Sequence, residues 1–276
     1  MIQDIAPHIY YNEYKPVPAQ PNDAVLLYDG RNVLLKKDEE EVQFPTISEI
    51  AADEAEQLIY LFKIDDIRFY LGNSRMIKEI EGFEWKDIQV YRRSTPKHLC
   101  FALITGWQLD RWYRTRRYCG QCGSKMVHDE KERMMKCPEC KIMEFPKICP
   151  AVIVGVTNGN RILFSKYAGR EYTNYALLAG FAEVGESIEE TVKREVLEEV
   201  GLKVKNIRFY KSQPWSMSDS LLLGFFCDLD GEEDIVLDKE ELALAEWFER
   251  EDIPTKPEDF SLTNEMMMVF KNNLNP

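Results

Sequence analysis

The chain has 276 residues, of which 45% are hydrophobic and 12% aromatic, and it carries a net charge of −13. That length allows two domains or one large one, and the composition is that of folded, soluble protein. An acidic excess of this size excludes a general nucleic-acid-binding surface, which needs Lys and Arg against phosphate, so any anionic substrate must meet local cations.

No run approaches the roughly 18 apolar residues that a membrane span requires, and the start, Met-Ile-Gln-Asp-Ile-Ala-Pro, lacks a basic segment followed by an apolar one. The expected location is cytoplasmic, without a membrane partner. Seven cysteines are too few for a disulfide scaffold, and four of them fall in two Cys-x-x-Cys pairs, which points to metal in a reducing compartment.

Asp23 to Leu35 reads as a strand, a turn at Asp29-Gly30-Arg31-Asn32 and a second strand. Ser48 to Phe62 reads as a helix, with Ile50, Ala55, Leu58, Ile59 and Phe62 as its apolar positions and Glu49, Asp53, Glu54 and Glu56 as its wet face. The first 97 residues show no chemical motif. His98 to Arg117 reads as a helix with an aromatic, basic end, Trp107, Arg111, Trp112, Tyr113, Arg114, Arg116 and Arg117. Packing by the rings with solvated arginines is the reading preferred over a phosphate or RNA contact, and basic residues in a last turn suit the helix dipole.

Cys119-Gly-Gln-Cys122 and Cys137-Pro-Glu-Cys140 suit two knuckles closing a tetrahedral site. Four thiolates leave no open coordination position, so one structural Zn²⁺ per chain is expected, with iron as the alternative in the same cage. Gly120 and Gly123 allow the tight backbone of the first knuckle. Cys100, Cys149 and Cys227 read as core residues, and His128 as a surface histidine.

From Pro150 the pattern changes to short apolar runs. Ala151–Val156 and Arg161–Ser165 flank a turn at Thr157-Asn158-Gly159-Asn160, and Tyr175–Ala179 forms a further strand. Val204–Tyr210, Leu221–Cys227 and Leu242–Phe248 follow as strands and Leu262–Asn272 as a helix, giving an α/β layered domain. Between them, Ser187 and Glu190 form a capping box and Gly201 a C-terminal stop. Within that helix Ile188, Val192, Val196 and Val200 form an apolar stripe, while Glu195, Glu198 and Glu199 share an arc of roughly 100°. A solvated acidic face is the plain alternative, since like charges one turn apart cost only about 0.2–0.5 kcal/mol per pair.

The spacing decides against it. Gly180, Glu186, Arg194, Glu195, Val196, Glu198, Glu199, Gly201 and Leu202 match Gly-x5-Glu-x7-Arg-Glu-aliphatic-x-Glu-Glu-x-Gly-aliphatic. At roughly 6% per specified residue, the seven fixed identities would coincide with a probability on the order of 10⁻⁹ per starting position. The stretch resembles the signature of the Nudix hydrolases, which cleave a nucleoside diphosphate linked to another group. The resemblance implies an α/β/α sandwich with a mixed sheet over 150–276, preceded by a linking helix and zinc ribbon over 98–149 and an amino-terminal α+β domain over 1–97.

Ser212-Gln213-Pro214-Trp215 and Ser220 are similar to the Ser-Gln-Pro-Trp-Pro-Phe-Pro-x-Ser motif of the NADH pyrophosphatases, which split NAD(H) into nicotinamide mononucleotide and AMP. Ser216, Met217 and Ser218 depart from its Pro-Phe-Pro, which would loosen the loop. On physical grounds Pro214 stiffens a turn, Trp215 offers a stacking face, and Gln213 and Ser220 offer hydrogen bonds to ribose or phosphate. The loop from Gln213 through Asp219 to Ser220 is therefore a substrate-binding expectation.

By resemblance, Phe181 and Phe145 are rings at substrate positions, Glu132 is a substrate contact in the ribbon, and Thr263 is a further contact. Glu195 and Glu199 become principal ligands of Mg²⁺ or Mn²⁺, more than one ion per site, together with the carbonyl of Ala179. Glu198 is a ligand or the base, and Glu241 an additional ligand or base, with Glu240 its immediate competitor. Arg194 anchors Glu186 and the loop. The resemblance also implies a homodimer and NAD(H) or a related dinucleotide as partner. Removal of NAD caps from RNA, or hydrolysis of ADP-ribose or diadenosine polyphosphate, are the alternatives. A non-catalytic nucleotide-binding module would need a damaged metal face, and every motif glutamate is present.

Overall fold

The computed structural model describes residues 1–37, 41–50, 57–75, 77, 79–169 and 174–274. They gather into two compact units, residues 2–147 and residues 148–276 with Met1. Among the described residues, no helix is long and apolar enough to cross a membrane.

In the first unit the strands are β1 (Tyr10–Tyr11), β2 (Ala24–Leu26), β3 (Tyr28–Asp29), β4 (Asn32–Lys36), β5 (Ile59–Ile64), β6 (Ile67–Leu71) and β7 (Phe83–Asp87). They form one sheet in the order β1-β5-β6-β2 and another in the order β3-β4-β7. The expected strand, turn and strand over Asp23–Leu35 is present, with Gly30 at φ 60 in the turn. The helix expected from Ser48 to Phe62 is corrected. Ile47–Glu49 is a short 3-10 turn, residues 51–56 lie outside the described residues, and Ile59–Phe62 belong to β5. Tyr60, Leu61 and Phe62 are buried, and Tyr60 and Phe62 pair across to Tyr70 and Phe69. A short run of β-branched and aromatic residues gains more by this two-sided burial than by its weak helical periodicity.

Helix α1 (Lys97–Thr115) packs on β5 and β6, so the expected boundary at residue 97 does not separate compact units. Trp107, Trp112 and Tyr113 are buried, Trp107 Nε1 donates to the Gly30 carbonyl at 2.9 Å, and the Arg111 guanidinium lies 3.8 Å from the Trp107 ring centre. Gly106 is needed here, because a Cβ would lie 2.4 Å from Leu26 Cδ1. The ribbon follows as three short strands, β8 (Val127–His128), β9 (Met135–Lys136) and β10 (Met143–Glu144).

The second unit contains β11 (Cys149–Asn158), β12 (Arg161–Tyr167), β13 (Leu178–Phe181), α2 (Ile188–Val200), β14 (Val204–Trp215), β15 (Ser220–Leu229), β16 (Leu242–Glu249) and α3 (Leu262–Lys271). Its mixed sheet runs β14-β15-β11-β12-β16, with β13 paired to β11. β11 is the hub, parallel to β15 along one edge and antiparallel to β13 and then β12 along the other. Its alternation separates the two faces. Val152, Val154 and Val156 join Val192, Val196 and Val200 of α2, whereas Ile153 joins Leu262, Met266 and Phe270 of α3. This period of two on the strand places one helix on each side. The three α2 valines are fully buried, each contributing about 1.5–3 kcal/mol. Cys100 and Cys227 are buried as expected, while Cys149 is only half-buried at the start of β11.

Candidate active site

The four ribbon thiols converge. Cys119 and Cys140 Sγ are 3.4 Å apart, Cys122 and Cys137 also 3.4 Å, Cys122 and Cys140 3.7 Å, and all four sulfurs lie within 4.8 Å of one another. A tetrahedron with Zn–S bonds of about 2.3 Å places its sulfurs about 3.8 Å apart, so the cage fits zinc. In the first knuckle Gly123 donates to the Cys119 carbonyl at 2.9 Å with φ 75. The matching position of the second knuckle is Lys141, at φ 67. Of the two glycines that allow this knuckle, Gly123 is the one in the left-handed region. The Ser124 hydroxyl and amide lower the Cys122 thiol to about 6, favouring the thiolate. His128 lies exposed, its ring 5.2 Å from that of Tyr113.

In the second unit, α2 starts and stops where its capping residues require. Ser187 Oγ accepts from the Glu190 amide at 3.3 Å, Glu190 accepts from the Ser187 amide at 2.8 Å, and Gly201 closes the helix at φ 71. Burial divides the acidic face. Glu195 is 8% exposed and Glu199 3%, whereas the Glu198 side chain is 58% exposed. Glu195 and Glu199, one turn apart, border the sheet-facing stripe, and Glu198 turns toward solvent.

Glu195 lies directly against the strand that precedes the loop. A Cβ on Gly180 would fall 1.9 Å from the Glu195 carboxyl carbon, so only glycine permits this carboxylate to reach the backbone of β13 beside Ala179. Arg194 is the hub of the loop. Its Nε donates to Glu186 at 2.8 Å, Nη1 to Glu195 at 2.8 Å and to Glu198 at 2.9 Å, and Nη2 to the Phe181 carbonyl at 2.9 Å. The guanidinium holds the Glu186 carboxyl down at about 2. Thr191, missed in the sequence, donates its buried hydroxyl to Glu186 at 2.8 Å. Its signal was position: it lies one turn before Arg194 and Glu195.

Burial raises the Glu195 carboxyl above the ordinary range, and the charges of Glu198 and Glu241 raise it further against the pull of Arg194. Glu241 is exposed immediately before β16. The stretch before β16 is tied to the end of α2, with the Val236 amide donating to the Val200 carbonyl and the Asp238 amide to the Glu199 carbonyl, both at 2.9 Å. The surplus of carboxylates around one guanidinium, all with oxygen donors, fits hard divalent cations. An open cleft of about 600 Å³ beside Val184, Glu186, Arg194, Leu197 and Glu198 lies on the outer flank of the helix and excludes Glu195 and Glu199.

β14 and β15 carry the third group. Trp215 ends β14 half-buried opposite Ser220, and Ser216–Asp219 form the turn between the strands, with Asp219 at φ 55. Ser218 and Ser220 hydroxyls are 2.8 Å apart, and the Asp219 carbonyl accepts from the Cys149 amide at 2.7 Å. The residues that stand in place of Pro-Phe-Pro thus form a hydrogen-bonded turn. Pro214 and Ser218 are exposed, Met217 half-buried and Ser216 buried.

Two expectations change. Gln213 is fully buried, its Nε2 donating to the Phe260 carbonyl and its Oε1 accepting from the Leu262 amide, both at 2.7 Å. It fastens the start of α3 to the sheet and is not presented to a ligand. Ser220 is 3% exposed and bonded within the turn, so it is also removed from direct contact. Thr263 is half-buried just after Leu262 in α3. Phe181 is 53% exposed beside the glutamates, while Glu132 and Phe145 are exposed in the ribbon's own unit.

Residues 147–267 match the NUDIX domain, and residues 114–145 match the NADH pyrophosphatase zinc ribbon domain. A NAD-capped RNA hydrolase NudC of Pseudomonas fluorescens (strain Pf0-1) is 35% identical over 207 residues, covering 75% of each chain. The chain belongs to the NADH pyrophosphatase group of Nudix hydrolases. Its ribbon is a zinc ribbon, and its Nudix domain uses divalent metal. A second relative in this Nudix group, the NAD-capped RNA hydrolase NudC of Escherichia coli O9:H4 (strain HS), is 41% identical over 152 residues, 55% of this chain and 59% of that protein's length. A NUDIX hydrolase structure from Nitrosomonas europaea is similar over 56% of this chain and 91% of its own, with a TM-score of 0.49 and 22% identity.

Proposed function

We propose that the chain hydrolyses the diphosphate bond of NAD(H) to nicotinamide mononucleotide and AMP, using more than one Mg²⁺ or Mn²⁺ ion. The observation that carries this reading is the buried pair Glu195 and Glu199, with Glu195 against the glycine-opened end of β13, on a chain that also bears this group's ribbon. The ions, when bound, neutralise the phosphate oxygens and lower the pKa of the attacking water.

Glu195, Glu199 and the Ala179 carbonyl would hold the metal. Glu198 and Glu241, both exposed, would supply a further ligand and the base that takes the proton from water. Arg194 keeps Glu186 and the loop in place, and its bonds to Glu195 and Glu198 orient both carboxylates. Phe181 and Trp215 provide faces for the base and the nicotinamide, where stacking is worth about 1–3 kcal/mol per ring. Pro214 and the turn from Ser216 through Met217 and Ser218 to Asp219 shape that side. Glu132, Phe145 and Thr263 complete the substrate contacts in a homodimer. The reduced ribbon thiols suit the cytoplasm.

The test is turnover of NADH by Glu199→Gln. The variant is expected to keep its zinc and its melting temperature while losing catalysis, and near-normal turnover would remove Glu199 from the metal set. A second reading, removal of NAD caps from RNA, is favoured by the names of the relatives and by Arg114 and Arg117, exposed at and just beyond the end of α1. It cuts the same bond. Competition between NADH, ADP-ribose, a diadenosine polyphosphate and NAD-capped RNA ranks the substrates.

A further inference from the structure

The tip of the β8–β9 hairpin is built around Asp129, whose carboxylate accepts from the Lys131 amide at 2.8 Å and the Glu132 amide at 3.0 Å. The Asp129 amide in turn donates to the Met134 carbonyl at 3.1 Å, and the Met134 amide to the Glu132 carbonyl at 2.8 Å. These bonds fix the local shape of the tip but do not fasten it to anything else. Arg133 does. It leaves the ribbon and enters the amino-terminal segment, where Nη2 donates to the Asn12 carbonyl at 3.0 Å and the guanidinium carbon lies 5.5 Å from the Tyr14 ring centre.

The surroundings are rings. Arg133 is close enough to Tyr10, Tyr14, Tyr60 and Tyr113 for its charge to oppose the rise that burial causes in each phenol. Those rings are themselves locked. Tyr10 meets Phe62 and Phe101 edge-on at 5.4 and 5.0 Å, Tyr14 lies 6.4 Å from Tyr60, and Tyr113 packs on Trp112 at 4.5 Å. Among the described residues Nη1 is buried without a hydrogen-bond partner, a position a guanidinium tolerates only where aromatic faces replace the lost water. A lysine has one compact, strongly hydrated charge and cannot both reach a carbonyl and lie flat among rings.

We propose that Arg133 is a positioning residue: clamped by the tyrosines and Asn12, it holds the ribbon tip so that the adjacent Glu132 is presented to substrate in a fixed place. This assigns a task to residues 10–14 and to the sheet behind them, which carry no chemical group of the reaction. The effect on turnover rests on the reading of Glu132 as a substrate contact, whereas the clamp itself does not.

The experiment uses the whole 276-residue chain. Arg133→Met is compared with wild type by hydrogen exchange over residues 9–15 and 127–136, by zinc content and by steady-state hydrolysis of NADH. The expected result is one zinc per chain, faster exchange in both segments, and KM raised roughly tenfold, equal to about 1.4 kcal/mol, with kcat nearly unchanged. Arg133→Lys restores part of the affinity. Tyr14→Leu, which leaves the ribbon sequence intact, raises KM less and loosens the same two segments, so the clamp stays testable if Arg133→Met does not fold. Unchanged exchange at 9–15 and 127–136 in both Arg133→Met and Tyr14→Leu overturns the clamp. Glu132→Ala separates the two layers, being expected to raise KM as Arg133→Met does without loosening residues 9–15. If it leaves KM unaltered, the reading of Glu132 fails while the clamp is still decided by exchange.

Discussion

The ribbon and the α2 site both gather acidic ligands, yet they solve the repulsion in opposite ways. Four thiols stand within 4.8 Å of one another, held by backbone turns and with a closed coordination set. The α2 carboxylates are spread by burial, and Arg194 bridges Glu186, Glu195 and Glu198. The first arrangement makes sense only with a soft cation at its centre and gives the loop its fold. The second is held by its own guanidinium and keeps Glu198 on an open side, as a site that must admit a phosphate requires.

That contrast can be broken at either end. Replacing Cys137, fully buried at the ribbon's centre, is expected to release zinc and unfold residues 118–144, because structural zinc supplies apparent folding energy of about 10–16 kcal/mol. Retention of stoichiometric zinc and unchanged stability in Cys137→Ser would show that the cage is not what holds the ribbon. Glu199→Gln is the counterpart: NADH turnover is expected to fall by at least about 10²-fold, since replacing even the outer partners of a metal ligand costs about 10–100-fold, with the melting temperature kept. Gly180→Ala tests the intermediate case. Its methyl overlaps the Glu195 carboxylate, so about 1–3 kcal/mol of stability should go with weakened Mn²⁺ binding, measurable by denaturant melts and by titration calorimetry.

The smallest effect concerns pH. Glu186 is held near 2 in the fold against about 4.3 for an unfolded glutamate. A depressed acid contributes stability that is complete above the unfolded value and disappears as pH falls toward the folded one. Wild type should therefore lose its margin over Glu186→Gln between about pH 4.3 and pH 2. A constant margin across that interval would mean that the Arg194 pair contributes nothing to folding.

Much of the site was legible because it is local in sequence. The capping box, the valine stripe and the carboxylate spacing all lie within Ser187–Gly201, and the thiol spacing within Cys119–Cys140, so helix and turn geometry alone relate their residues. What could not be read depends on tertiary burial. Gln213 and Ser220 belong to a motif that suggests ligand contact, but the partners that occupy them, Phe260, Leu262 and Ser218, are set by the packing of α3 and the turn geometry. The unequal exposure of Glu195 and Glu198 follows from where the sheet lies, which the helix period cannot state. Ile59–Phe62 failed for the same reason, since its pairing partner in β6 outweighed a local pattern.

The central claim is that the carboxylates of α2 direct water to a diphosphate. Its most direct test is mass analysis of the products of NADH incubated with Mg²⁺ or Mn²⁺ in ¹⁸O water. The account predicts reduced nicotinamide mononucleotide and AMP in equal amounts, with one ¹⁸O entering one of the two phosphates. Release of free nicotinamide with an intact ADP-ribose, or monophosphates carrying no label, would contradict it.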